Sequence, residues 1–350
     1  MKVFKYVFIL LLLIIIVISI YIAIQPDSYN VSRSKTMEAS PHLISSYINN
    51  YKTWPEWSPW LKLEPDANLT YGEKTSGVDA TYAWKGNQVG EGEMKTTYVA
   101  KDSIHQQIHF IQPFESSAEV YWTLERKNDS TTVVWGMKGN MNFMSKAYAL
   151  FTGGMDKAIG KDFEAGLHTL DSVTSNDLIS HTITFPGETD YSGGYYIYQT
   201  TESNQKNISA KMATMFPNVI NFMKSHNISA SGKPFTKYVE WNDENQTVIF
   251  SVCIPVSERI IIADDSDILC GFIDAGKYYK SVLQGNYKFL SEAWTQSFEK
   301  LTKDDFVNDK NRDPLEIYNN TPESEPNPSK WNTQILIPIT TNTETKTSNF

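Results

Sequence analysis

Two stretches near the end of the chain decide its reading. Tyr238-Val239-Glu240-Trp241 precedes Val252-Cys253-Ile254-Pro255-Val256, and Glu316-Ile317-Tyr318-Asn319 precedes Ile335-Leu336-Ile337-Pro338-Ile339. In each pair an alternating run is followed by an apolar run that ends at a proline, where a missing N–H is tolerated because strand pairing stops. The repetition is short and imperfect. It predicts a duplicated strand–helix–strand–strand unit, β-α-β-β, with a groove enclosed between the two copies.

Working outward, Tyr195–Thr200 reads as the strand that opens the first copy. Ser209 to Ser225 follows as a helix with Met212, Met215, Phe216, Val219, Ile220 and Met223 on one stripe. Pro217 either delays or kinks that helix. Phe235–Trp241 and Thr247–Pro255 form a hairpin. In the second copy Leu269–Ala275 reads as a strand and Tyr278 to Leu301 as a helix with Val282, Phe289, Trp294 and Phe298 on its core side.

Further upstream, Asn30–Glu38 reads as a strand, and Ser40-Pro41 opens a helix through Tyr51. Trp54-Pro55-Glu56-Trp57-Ser58-Pro59-Trp60 reads as a rigid aromatic loop, either a lid on a cavity or a plug in it. Strands follow at Val78–Trp84, Glu91–Ala100, Ile104–Phe110, Glu115–Glu125 and Thr131–Lys138. Phe143 to Leu170 then returns to helical spacing, with Gly153-Gly154 interrupting it. This order predicts a helix-grip domain, in which a curved sheet wraps its last helix.

At the N-terminus, Lys2 and Lys5 precede an apolar run from Val7 to Ile24. Those residues span roughly 27 Å as a helix, close to the hydrocarbon thickness of a bilayer. A cleaved signal peptide is the alternative, but the run is long for one and no small-x-small site follows. The leading lysines predict a cytoplasmic N-terminus with the body outside, although Arg33 and Lys35 on the far side oppose that bias. The predicted organisation is therefore α+β, with a transmembrane helix at 1–26, a helix-grip domain at 27–174, a duplicated domain at 178–340 and a polar tail at 341–350.

Composition narrows the function. The 350 residues carry 31 Lys+Arg against 40 Asp+Glu, a net charge of −9, which disfavours nucleic acid as a partner. Only two cysteines, Cys253 and Cys270, exclude a disulfide scaffold, leaving either one bridge or two thiols. His105 and His109 share a face, but Gln106 follows the first where a zincin has Glu, so no metal is expected there. The high aromatic content, 9 Trp, 19 Tyr and 17 Phe, suits ring-lined pockets as well as plain core filling.

Residues 27–174 resemble the START-like SRPBCC superfamily (polyketide cyclase/dehydrase type) in the strand–helix opening, the Trp-x-x-Trp-Ser-Pro-Trp segment and the amphipathic closing helix. That resemblance implies a cavity for an apolar or amphipathic molecule. Residues 178–340 resemble the GyrI-like effector-binding domain, carried by Pro314-Leu315-Glu316-Ile317-Tyr318-Asn319 and Thr333-Gln334-Ile335-Leu336-Ile337-Pro338-Ile339. It implies that Glu316 lies on the groove floor facing cationic or polar ligands among rings, here Tyr318, Trp294, Tyr196 and Tyr238. Both resemblances imply a bacterial host, and neither implies a cofactor. The family's transcription activators carry a DNA-binding helix-turn-helix upstream, and this chain has an anchor and a helix-grip domain there. A membrane-anchored binder of a small amphipathic or cationic ligand is the first expectation. The alternatives are a hydrolase using Glu316 as general acid or base, and a structural module of an envelope complex.

Overall fold

The computed structural model describes residues 2–263 and 265–340, so the tail expected at 341–350 lies outside the described residues. The chain divides into two compact units, Met1–Leu178 and Ile179–Phe350.

The first unit begins with α1 (Lys2–Ala23), which contains the one described helix long and apolar enough to cross a membrane. Strands β1 (Ser28–Met37), β2 (Asn68–Tyr71), β3 (Thr81–Lys85), β4 (Glu91–Val99), β5 (Ser103–Gln112), β6 (Ser116–Lys127) and β7 (Ser130–Asn140) form one antiparallel sheet in the order β1-β7-β6-β5-β4-β3-β2. Between β1 and β2 lies α2 (Pro41–Ile48). Ser40 caps it by accepting the Leu43 N–H at 3.2 Å, with proline in the first turn. Ser40→Ala should cost about 1 kcal/mol, read as a lower urea midpoint at unchanged slope.

The expected aromatic loop is instead two short helices, α3 (Trp54–Trp57) and α4 (Pro59–Leu63). Pro55 and Pro59 sit in their first turns, where proline costs no hydrogen bond. Trp54 and Trp57 are fully buried. Trp57 meets the rings of Trp122 and Trp135 edge-on at 5.8 and 5.6 Å, and Trp135 stacks on Phe163 at 4.4 Å. The tryptophans therefore plug the space between sheet and helix.

The expected closing helix is also two elements, α5 (Phe143–Thr152) and α6 (Met155–Ile179). Gly153 and Gly154 separate them at φ +82° and +108°, a region that side chains with a Cβ rarely adopt. Only α6 supplies the core, through Phe163, Leu167 and Leu170. Phe143, Leu150 and Phe151 of α5, which carry the start of the helical spacing, are exposed.

The second unit contains β8 (His181–Tyr191), β9 (Gly194–Asn204), α7 (Ile208–Ser225), β10 (Phe235–Asn242), β11 (Thr247–Val256), β12 (Leu269–Ile273), β13 (Gly276–Gly285), α8 (Leu290–Lys303), β14 (Leu315–Tyr318) and β15 (Asn332–Pro338). The first ten residues of the helix expected at 278–301 are largely strand. There Tyr279 and Leu283 are buried beside α8 while Lys280 and Val282 face the other way, and Tyr278, Val282 and Leu283 also fit helical spacing, which hid the strand.

The sheet order, β12-β9-β11-β10-β14-β15-β13-β8, reads as two halves meeting at β10 and β14. The halves are β9-α7-β10-β11 and β13-α8-β14-β15, in the predicted element order, but the second opens on β13, while β12, in the strand expected there at Leu269–Ala275, pairs with β9 of the first half. Asn204 and Asn286 begin equivalent turns, each accepting the N–H two residues on, and Pro255 and Pro338 end equivalent strands. The matching register differs by two residues from the one read in the sequence. Thr236 lies directly opposite Glu316 across the central pair, so Thr236 and Glu316 are equivalents, and Tyr238 corresponds to Tyr318.

Candidate functional site

Side chains alternate faces along a strand. From the pairing register, Glu316 shares a face with Thr236, Tyr238, Tyr318 and Ile335, the face covered by α7 and α8. Glu316 is 1% exposed. Three donors converge on its carboxylate. The Tyr238 hydroxyl donates to Oε1 at 2.9 Å, the Trp294 indole N–H donates to the same oxygen, and the Tyr318 hydroxyl donates to Oε2 at 2.9 Å. Thr236 Oγ1 lies 2.9 Å from the Tyr318 hydroxyl, and Met212 Sδ lies 3.7 Å from it. The ring of Trp294 packs edge-on against Tyr238 at 5.6 Å, while Phe216 and Tyr287 close on Tyr318 at 5.8 and 5.7 Å.

No lysine, arginine or histidine among the described residues pairs with Glu316. Burial pushes its carboxyl above the ordinary 4.5, and the three donors offset part of that rise. Burial, then the neighbouring Glu316, pushes the hydroxyls of Tyr238 and Tyr318 well above 10.0, so both stay protonated as donors. Thr333, opposite Tyr318, and Ser281, opposite Ile335, carry buried hydroxyls without a partner among the described residues. The face therefore holds more polar capacity than its network uses.

Four of the five expected residues, Glu316, Tyr318, Trp294 and Tyr238, come together. Tyr196 does not. It lies on the opposite face, packed on Phe235 and Tyr198 at 5.4 and 5.3 Å in a cluster with Cys253 and Tyr278. Its neighbour Tyr195 faces the helices. Sequence reading missed Thr236 and Met212, the equivalents of Glu316 and Trp294 in the other half. A comparison of the two halves shifted by two residues would have found them.

The remaining candidates stay apart. His105 Nδ1 lies 2.9 Å from Glu119 and His109 Nδ1 lies 3.0 Å from Ser117. Cys253 and Cys270 are both thiols, on opposite faces of the sheet with β9 between them, so their Cβ vectors diverge.

Residues 193–339 match the family model of Cass2, described as an integron-associated effector-binding protein. Over that span the chain carries an effector-binding, small-molecule-binding domain of the GyrI-like type, as the terminal strand motif led us to expect. No curated protein matches the chain. Similar solved structures include the C-terminal domain of EcmrR, at 15% identity and TM-score 0.39 over 46% of this chain and 98% of that one. EcmrR bound to DNA in EcmrR-RPo gives 14% and 0.40 over 49% of this chain, which spans only 62% of the EcmrR chain. SAV2435 bound to tetraphenylphosphonium gives 11% and 0.35 over 45% of this chain and 94% of that one.

Proposed function

We propose that the protein is a membrane-anchored sensor or sequestering protein whose effector-binding domain takes an apolar cation over Glu316. The observation that carries this reading is a buried carboxylate with three neutral donors, a wall of rings and no counter-cation among the described residues. A small inorganic ion would forfeit its hydration there. A cation with its charge spread among apolar groups loses little water, meets the carboxylate and covers the rings. In this reading α1 is a single-pass anchor with its N-terminus in the cytoplasm, and the first unit is an SRPBCC-type domain whose interior is filled by tryptophan.

Tetraphenylphosphonium is a suitable probe, with triphenylphosphine oxide as its neutral counterpart. Calorimetry on the full chain in detergent should show saturable binding of the cation and little of the oxide. Equal binding of both would remove the carboxylate from recognition.

The raised carboxyl pKa has a signed consequence. The folded chain keeps this proton after the unfolded chain has released it, so Glu316 contributes fully to stability below about 4.5, and that contribution fades as pH rises through its folded-state pKa. A bound cation favours the carboxylate, so binding within that window should expel a proton. Heats measured in buffers of different ionisation enthalpy should show proton release with the wild-type chain and none with Glu316→Gln.

Hydrolysis with Glu316 as general acid or base is the second reading. It is favoured by a carboxyl of raised pKa beside two phenolic hydroxyls. A screen of esters showing no product that depends on Glu316 would end it.

A further inference from the structure

The helix α5 is amphipathic in the reverse of the usual sense. Phe143, Met144, Tyr148, Leu150 and Phe151 lie on one arc and are 48, 48, 44, 36 and 84% exposed. The other side, with Ser145, Lys146, Ala149 and Thr152, is turned inward. A helix in water turns its apolar stripe to the core, and one that turns it out has a partner.

Its position identifies that partner. The helix packs on α1, and Lys146 Nζ donates to the Ala23 carbonyl at 3.0 Å and meets Asp27 at 2.5 Å. Ala23 is the last residue of α1, so α5 is fixed at the level where the apolar span ends. Beside it, Asn142 Nδ2 donates to the Glu115 carbonyl, which brings the β5–β6 connection alongside. That connection exposes Phe114, with Ile111 just before it at the end of β5. Outside α1, the exposed large apolar side chains described in the first unit number eleven, and seven of them belong to this collar. Lys157 lies over Gly153 at the end of α5, which puts a cation beside the stripe, as anionic headgroups would favour.

We infer that α5 and the β5–β6 connection form an interfacial foot that lies in the headgroup–acyl boundary of the bilayer that α1 crosses. Aromatic and aliphatic side chains on a helix of this kind enter the boundary to roughly 5–10 Å. The inference rests on reading α1 as a membrane span, and the test separates the two. Phe151→Cys, Phe143→Cys, Ile14→Cys and Tyr98→Cys are each made in full-length Cys270→Ser protein, labelled with an environment-sensitive fluorophore and reconstituted into phosphatidylcholine–phosphatidylglycerol vesicles. Nitroxide lipids then report depth. Position 14 should be quenched best by deep nitroxides, positions 143 and 151 best by shallow ones, and position 98 by neither. Quenching at 14 with none at 143 and 151 would overturn the foot and leave the anchor standing. Blue-shifted but unquenched probes at 143 and 151 would overturn it in favour of a second protein copy. Absence of quenching at 14 would remove the anchor, and the foot with it.

Discussion

Glu316→Gln is expected to weaken tetraphenylphosphonium binding by roughly a hundredfold, about 3 kcal/mol, while leaving the chain folded. The fold should survive because the network can invert at one point. The Gln oxygen can still accept from Tyr238 and Trp294, and its amide can donate to the Tyr318 oxygen. Tyr318 would then turn its proton towards Thr236, 2.9 Å away, or Met212, 3.7 Å away. The second amide N–H has no acceptor among these residues, a cost offset by relief of the desolvation of a charge. Titration calorimetry of both chains measures the effect. An unchanged Kd would place the ligand elsewhere, and a chain that fails to fold would show that the carboxylate holds the sheet together rather than awaiting a partner.

Trp57→Ala is expected to cost about 3–5 kcal/mol, a large share of the stability of a domain. Trp57 is fully buried and touches three other fully buried tryptophans, Trp54, Trp122 and Trp135. Urea unfolding of the full chain should therefore lose its first-unit transition at much lower denaturant. The transition that tetraphenylphosphonium raises by linkage should not move. A change below about 1 kcal/mol would show instead that the aromatic segment is a lid resting loosely on an open cavity, as surface substitutions cost little.

Much of this architecture is legible in the sequence. The duplication was visible because Pro255 and Pro338 mark equivalent strand ends and the runs before them share a pattern. Its register was not, because a two-residue slip preserves every side chain's face and so keeps the hydrophobic pattern intact. That slip hid Thr236 as the partner of Glu316. Tyr196 was misplaced for the complementary reason. Adjacent strand residues point opposite ways, and composition alone cannot say which of Tyr195 and Tyr196 faces the helices. The outward turn of the α5 stripe was not legible, because helical periodicity shows that a face is apolar and not what it meets. Glu316 was singled out by the resemblance to the GyrI-like domain, which implies a glutamate at that position; its polar sequence neighbours Asn319, Asn320, Glu323 and Glu325 alone fit a surface residue equally well.

The meeting of β10 and β14 has a further consequence. Met212, Thr236 and Tyr318 repeat the arrangement of Trp294, Glu316 and Tyr238 about the local axis between the two halves. Thr236 and Glu316 stand directly opposite each other, so their Cβ atoms are about 5 Å apart. Two carboxylates at that separation in a dry site could not both ionise. A duplicated fold of this kind therefore admits a single charge at its axis, and a threonine opposite Glu316 assigns that charge to one residue where a symmetric pair of carboxylates would share it with a proton. On the proposed reading both halves would then serve one occupant, so a titration of the chain should give one site rather than the two that its internal repeat suggests.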